Sequence, residues 1–416
     1  MTPPRAALAA LALAALACSP RASHPGSASA TSELRVAVEG TCPKLAAYPV
    51  GPEVVLAYGT YGLEDALLTK DRPEARAAQG LAHVRGDRLA FDPALLAGLP
   101  LGPGGYVRGD LEVGGRRPRD AWLVRVDTDL APAQRGALFE RRRVYYARDG
   151  ARWTEDPKAV DRARPGARPP PLAEASLCEA APGTRFARHA TARIDSGDTV
   201  VAGRCEDELG RAQGGVFVAT YRAGDRDWAV AEAPPSALWQ GIVNLDVVFS
   251  TERQAYLYAY APYDESASET YVAAWDGAAW RRLAVPFEGP IVSLSLAADG
   301  ALWAVARFAE VHRRPARGAW ARVPLPSPRW ASPAPAALRV LEVQTTGSDA
   351  WVHAAYPIAA PEREDGSARG HVLFTTRVWG SPWFCDRKRP AASALSPSGR
   401  SLPGAVRGPA PPCRAQ

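Results

Sequence analysis

Lysine is nearly missing from this 416-residue chain. Of its 50 basic residues only Lys44, Lys70, Lys158 and Lys388 are lysines, and Asn244 is the single asparagine. Such a bias is the mark of GC-rich coding and says little about partners. The formal charge of +6 is carried by the two ends, Arg5 near the start and a basic tail after Cys385, so the body between them is close to neutral. A uniformly basic face for nucleic acid is not indicated. Long hydrophobic runs are lacking too: the longest, Ala6 to Ala17, is too short to span a bilayer. The six histidines, His24, His83, His189, His312, His353 and His371, never fall at the spacing of a local metal motif. No metal and no cofactor is expected. There is no G-x-S-x-G elbow, no H-E-x-x-H, no P-loop and no G-x-G-x-x-G ahead of a helix, so no catalytic residue can be named.

The amino-terminal segment carries the plainest signal. Arg5 gives a positive start, the apolar run follows, and Cys18 comes directly after it. The sequence Ala15-Leu16-Ala17-Cys18 resembles the lipobox of bacterial lipoproteins, which implies cleavage before Cys18 and acylation of that residue. Residues 1–17 are then a signal peptide and Cys18 the lipid anchor. Residues 18–33, rich in Ser, Ala, Pro and Gly, read as a flexible tether. Ser19 beside the anchor resembles proteins sorted to an outer membrane. An ordinary signal peptidase cutting at Ala28-Ser29-Ala30 is the alternative.

From residue 34 onward the chain reads as short strands. In YVAAWDGAAWRRLAVP, from Tyr271, Asp276-Gly277 marks a tight hairpin; Asp299-Gly300 marks the next. Val292, Leu294 and Leu296 alternate with Ser293 and Ser295, a half-buried strand, while Leu302 to Ala306 is apolar on both faces and must be sandwiched. The frame recurs: an alternating strand, a turn, an aromatic strand, a variable loop, another strand, and a Gly turn closing on Trp. Gly150 and Trp153, Gly277 and Trp280, and Gly380 and Trp383 keep one spacing, and Tyr256, Trp303 and Trp351 recur at about the period of a four-stranded propeller blade. An all-β propeller of about six four-stranded blades follows, spanning 34–385, with seven as the alternative. Leu34 to Val38 is read as the opening strand of the first blade, and Gly380 to Trp383 as the close of the last. The Pro- and Arg-rich segment near 161–175 reads as an insertion, and the basic, Pro- and Ser-rich tail 386–416 is expected to be disordered. The DG-x-x-W turns resemble the Asp-box repeats of sialidase-type propellers, and ADGALW resembles a strand of the propellers in bacterial sensor proteins. Recurrent Trp needs no role beyond filling the gap between stacked sheets.

With Cys18 acylated, five cysteines remain for an oxidising compartment. Cys178 and Cys205 are the best local pair. Cys42 and Cys385 would meet if a ring closes, and Cys385 with Cys413 is the alternative. Loops joining second and third strands share a face with the interblade connections, and here they are polar: Asp127 to Arg142, Glu206 to Gln213, Pro262 to Glu269, Glu310 to Arg314 and Ile358 to Arg369. Binding uses such loops, although their charge also serves simply to solvate strand ends. The expected function is that of a binding or scaffolding propeller held to the cell envelope, its partner an envelope protein, a peptide or a glycan. A carbohydrate-active enzyme of sialidase type is the alternative, and whether the chain is an enzyme stays open.

Overall fold

The structure is a computed structural model that describes residues 33–40, 45–50, 53–58, 80–85, 88–91, 108–114, 121–130, 138–149, 152–159, 169–193, 197–241, 243–249, 254–261, 269–276, 278–328, 338–357, 369–380, 382–385 and 413–415. The signal peptide, Cys18, most of the tether, Cys42 and most of the Pro-rich insertion lie outside them. Among the described residues no helix is long and apolar enough to cross a membrane.

Strand β1 (Arg35–Gly40) is followed by β2 (Leu45–Val50), β3 (Glu53–Tyr58), β4 (Gly80–Arg85) and β5 (Arg88–Phe91), and the last four form the first blade. The second blade is β6 (Arg108–Gly114), β7 (Trp122–Leu130), β8 (Leu138–Asp149) and β9 (Arg152–Glu155). The third is β10 (Arg185–Arg193), β11 (Thr199–Glu206), β12 (Ala212–Tyr221) and β13 (Ala229–Glu232), preceded by one helical turn, α1 (Glu174–Leu177). The fourth is β14 (Asn244–Phe249), β15 (Ala255–Tyr260), β16 (Tyr271–Trp275) and β17 (Trp280–Arg282); the fifth is β18 (Ile291–Leu296), β19 (Leu302–Ala306), β20 (Glu310–Arg314) and β21 (Ala321–Val323). The sixth begins with β22 (Arg339–Thr346), β23 (Asp349–Pro357) and β24 (Arg369–Thr375).

Each of these sheets is an antiparallel meander in chain order. First strands lie against first strands, β10 on β14, β14 on β18, β18 on β22, β22 on β2 and β2 on β6, so the last blade meets the first. The protein is a six-bladed β-propeller. Its core lies between blades, because one twisted sheet cannot bury both faces alone. Trp303 and Val305 of the fifth blade pack with Val340, Val352, Tyr356 and Phe374 of the sixth. Trp351 and Leu373 of the sixth pack with Leu56 and Val84 of the first. Trp280 is buried with Leu257 and Tyr271 against Val200 and Val218 of the third blade.

The turns form for the reasons their residues supply. Asp276 Oδ1 accepts from the backbone N–H of Ala278 and of Ala279, both at 2.9 Å, and these bonds hold its carboxyl below the usual range. Asp299 Oδ1 likewise accepts from Ala301 N at 3.0 Å, and Gly300 beside it takes φ +79°, where a side chain is strained.

Three expectations are corrected. The opening strand does not belong to the first blade: β1 pairs antiparallel with β24, with Val38 opposite Leu373 and Gly40 opposite His371, so the start of the chain supplies the fourth strand of the last blade. The first blade instead begins at β2. The strand after Gly380, β25 (Trp383–Cys385), runs parallel to β1 as a fifth strand, and β26 (Cys413–Ala415), inside the tail expected to lack structure, pairs with it as a sixth. Glu310 to Arg314 is strand β20 rather than a loop, because Arg307 and Phe308 turn the chain within two residues at φ 52° and 55°. Cys385 stands opposite Cys413 in the β25–β26 register, and the Cys42 partner lies outside the described residues.

Candidate functional site

The polar positions of the inner strands converge at the start of those strands, the face that also carries the β15–β16 and β11–β12 connections. A cavity of about 620 Å³ opens there, lined by His189 of β10, Asn244 and Asp246 of β14, Tyr258 and Tyr260 of β15, Ser293 of β18, Glu342 of β22 and His353 of β23, with Leu245, Val292 and Leu341 between them. Period-two alternation explains the membership: Asn244 and Asp246 point to one side of β14 while Leu245 and Val247 are buried on the other.

Most of these groups are fixed by their neighbours. The Tyr258 hydroxyl donates to Asp246 Oδ2 at 2.9 Å, and Asp246 Oδ1 accepts from Val247 N at 2.7 Å. Burial, followed by the Asp246 charge and that hydrogen bond, pushes the Tyr258 phenol well above its ordinary range. Ser293 Oγ donates to Val343 O at 3.2 Å and accepts from Val343 N at 3.0 Å, which rivets the fifth blade to the sixth. Glu342 Oε1 accepts from Gln344 Nε2 at 2.6 Å, and His353 Nε2 lies 2.9 Å from His371 Nδ1 with the two rings stacked.

His189 is oriented from behind. Its Nε2 is 2.8 Å from Glu206 Oε1, and Arg204 Nε donates to the same oxygen at 2.8 Å. Arg204 is only 2% exposed, and its Nη1 donates to the carbonyls of Gly241 at 2.7 Å and Trp239 at 3.3 Å. Burial pushes the Glu206 carboxyl up, but the bonds from Arg204 and His189 outweigh it and hold the group below its ordinary value. The guanidinium is thereby spent on the scaffold and does not face the cavity.

Cys178 and Cys205 are joined by a disulfide with Cα atoms 5.7 Å apart. Cys205 lies between Arg204 and Glu206 on β11 and packs with Leu172, Phe186 and Val201, so the bridge pins the segment before β10 to the strand that orients His189. Trp228 Nε1 donates to Pro170 O at 2.8 Å and ties down the end of the Pro-rich segment. Of the polar loops, the one after Glu206 closes on itself, Asp207 Oδ1 accepting from Leu209 N at 2.9 Å and Arg211 N at 2.8 Å. Residues 131–137, 262–268 and 358–368 lie outside the described residues. No arginine or lysine lines the cavity among the described residues, so the arginine cluster of a sialidase-type site is not found there. No described group of three or more His, Cys, Asp or Glu could hold a metal ion. Asp246, Tyr258, Glu342 and His189 escaped the sequence reading as a set. Their alternation was visible, but not which face of each strand meets the axis.

No family model matches the chain, and no curated protein matches it. Similar solved structures include a protein of unknown function from Dyadobacter fermentans, 10% identical over 82% of this chain and 97% of that one with a TM-score of 0.42. YCF48 bound to D1 peptide is 10% identical over 84% and 97% with a TM-score of 0.42. The α-L-arabinanase of Penicillium chrysogenum complexed with arabinobiose is 11% identical over 82% and 96% with a TM-score of 0.41. Likenesses of this degree bear on the fold alone and say nothing of a ligand.

Proposed function

We propose that this is an exported propeller, held to the outer membrane by acyl chains on Cys18, that binds an envelope protein, peptide or glycan at the mouth of its central cavity without turning it over. The observation that carries the binding reading is the state of the lining groups. Asp246 has both oxygens engaged and Ser293 is spent between two blades, so neither stands ready as general acid or nucleophile. The lipobox-like Ala15 to Cys18 supports the anchor, and the Cys178–Cys205 disulfide fits an oxidising compartment. Fractionation tests the anchor: Cys18→Ala should move the protein from membrane to soluble fractions, and an unmodified mature start after Ala30 would end this part of the reading.

A carbohydrate-active enzyme is the second reading, favoured by one observation: Asp246 and Glu342 line the same cavity from different blades. Incubation with a panel of polysaccharides and sialosides decides between the two. Binding predicts no released sugar. Hydrolysis that disappears in Glu342→Gln would establish the enzyme.

A further inference from the structure

Neighbouring blades share a continuous core at every junction but one. Val200 and Val218 of the third blade pack with Leu257 of the fourth, Tyr258 of the fourth with Leu302 of the fifth, and Val55 of the first with Leu123 of the second, and the fifth–sixth and sixth–first cores are those described above. The second and third blades share none among the described residues, and β6 does not lie against β10 as the other first strands lie against their neighbours. Each of the two facing surfaces is covered instead by the chain between them. Trp122 and Val124 of the second blade pack with Ala159, just past β9. Phe186, Val201, Cys205 and Ala219 of the third pack with Leu172 and Cys178 of the segment 169–184, a strap that carries α1. The inner strand β10 is left open on that side: Thr191 stands opposite Val201 and Arg188 opposite Gly203, and both are exposed, Arg188 with 51% of its side chain. On β18, the equivalent strand of the fifth blade, no residue is exposed.

The strap belongs to the third blade. The Cys178–Cys205 bridge fixes it near one end, the bond from Trp228 Nε1 to Pro170 O at 2.8 Å fixes the other, and Glu174 pairs with Arg188 between them. From these observations we infer that the ring is hinged at the junction of the second and third blades, and that the strap is the cover that keeps the third blade's apolar face dry when the two blades part. Blades that share a close-packed core move as one body, because sliding one past the other forfeits contacts over the whole face. Two surfaces that each carry their own cover lose far less on separating. The seam lies in mid-chain rather than where the chain ends meet, since β1 and β25 both close the sixth blade. The cavity is lined by the third to sixth blades, which their shared cores hold together. Opening the hinge therefore widens the ring beside His189 of β10 and leaves Asp246, Tyr258 and Glu342 in place.

Pulsed electron-spin distance measurements on the full-length protein in detergent test the hinge, with the spin labels on unnatural side chains so that the native cysteines stay untouched. One pair of labels, at Thr154 of β9 and Val230 of β13, spans the second–third junction; the other, at Val230 and Ala279, spans the third–fourth; all three positions are exposed. The Thr154–Val230 distribution should be about twofold or more broader than the Val230–Ala279 distribution. Removing the bridge in Cys178→Ser/Cys205→Ser should raise amide hydrogen exchange over 172–184 about tenfold or more and broaden Thr154–Val230 further, with Val230–Ala279 unchanged. Trp228→Phe, which removes only the indole N–H that holds Pro170, is the milder variant and should act in the same direction even if the double variant does not fold. Equal widths for the two pairs in the wild-type protein overturn the hinge. Broadening that spreads to Val230–Ala279 overturns it as well, because the third and fourth blades then do not move as one. Unchanged exchange over 172–184 in the variants overturns the role of the strap as a cover.

Discussion

Alanine at Gly370 should loosen the junction that closes the ring. The Tyr356 ring lies across Gly370 of β24 to reach β1, where its hydroxyl donates to Glu39 Oε1 at 3.1 Å; Glu39 is 1% exposed. A Cβ at position 370 would stand 2.4 Å from Tyr356 Cζ and 2.6 Å from Cε2, both well inside contact distance. Gly370 does not have a positive φ, so the backbone admits alanine and the penalty comes only from the ring. Overpacking of this kind costs about 1–3 kcal/mol, and loss of a hydrogen bond to a buried carboxylate costs about 1.5–3 kcal/mol. Tyr356→Phe should show the second cost alone. The decisive measurement is a double-mutant cycle read by denaturant midpoint. With the ring removed in Tyr356→Ala, Gly370→Ala should change sign and stabilise by about 0.4–1 kcal/mol, the gain from restricting the unfolded chain. If Gly370→Ala costs the same in both backgrounds, the ring is not what selects glycine. Limited proteolysis supplies a second readout, with cleavage near β1 rising in the single variant.

The remaining predictions concern packing, titration and the cysteines. Trp303→Ala should cost about 3–5 kcal/mol, because its side chain is buried between the fifth and sixth blades; a loss under 1 kcal/mol would contradict the stacked-blade core. Burial raises the phenols of Tyr258, Tyr271 and Tyr356 above an unfolded value of about 10, so the stability they contribute is present below that pH and is lost as pH rises beyond it. An alkaline titration should therefore show phenolate absorbance from these tyrosines only together with unfolding. Glu206 shifts the opposite way, so its contribution is present above 4.5 and lost as pH falls, and Glu206→Gln should flatten the acid side of the stability profile. The antiparallel pairing of Cys385 with Cys413 places their Cα atoms about 4.5–5.5 Å apart, within disulfide range. A non-reducing peptide map should recover these two cysteines in one linked peptide, and recovery of Cys42 linked to Cys385 would reject that pairing.

The strands were legible where local chemistry is strong. Asp276-Gly277 and Asp299-Gly300 specify hairpins through an acceptor side chain and a residue tolerant of positive φ, and both mark turns here. Leu302 to Ala306, apolar on both faces, is a second strand buried throughout. The turn at Arg307-Phe308 hid from the sequence because neither residue favours positive φ; tertiary contacts hold it, with Phe308 O accepting from Val340 N of the next blade at 2.7 Å and Arg339 lying over the Phe308 ring.

By itself the sequence determined the blade: four short strands, their turns, their recurrence along the chain, and the need for each sheet to bury its faces against a neighbour. These follow from contacts a few residues apart, which a linear pattern records. Only the tertiary structure decided that β1 completes the last blade and that Asp246, Tyr258, Glu342 and His189 share one cavity. Ring closure pairs residues more than 300 positions apart, as in Tyr356 with Glu39, and no local periodicity encodes such a partner. Alternation shows that Asp246 and Glu342 are polar positions on inner strands, but their meeting depends on the angle between successive blades. That angle is set by how the side chains between them pack.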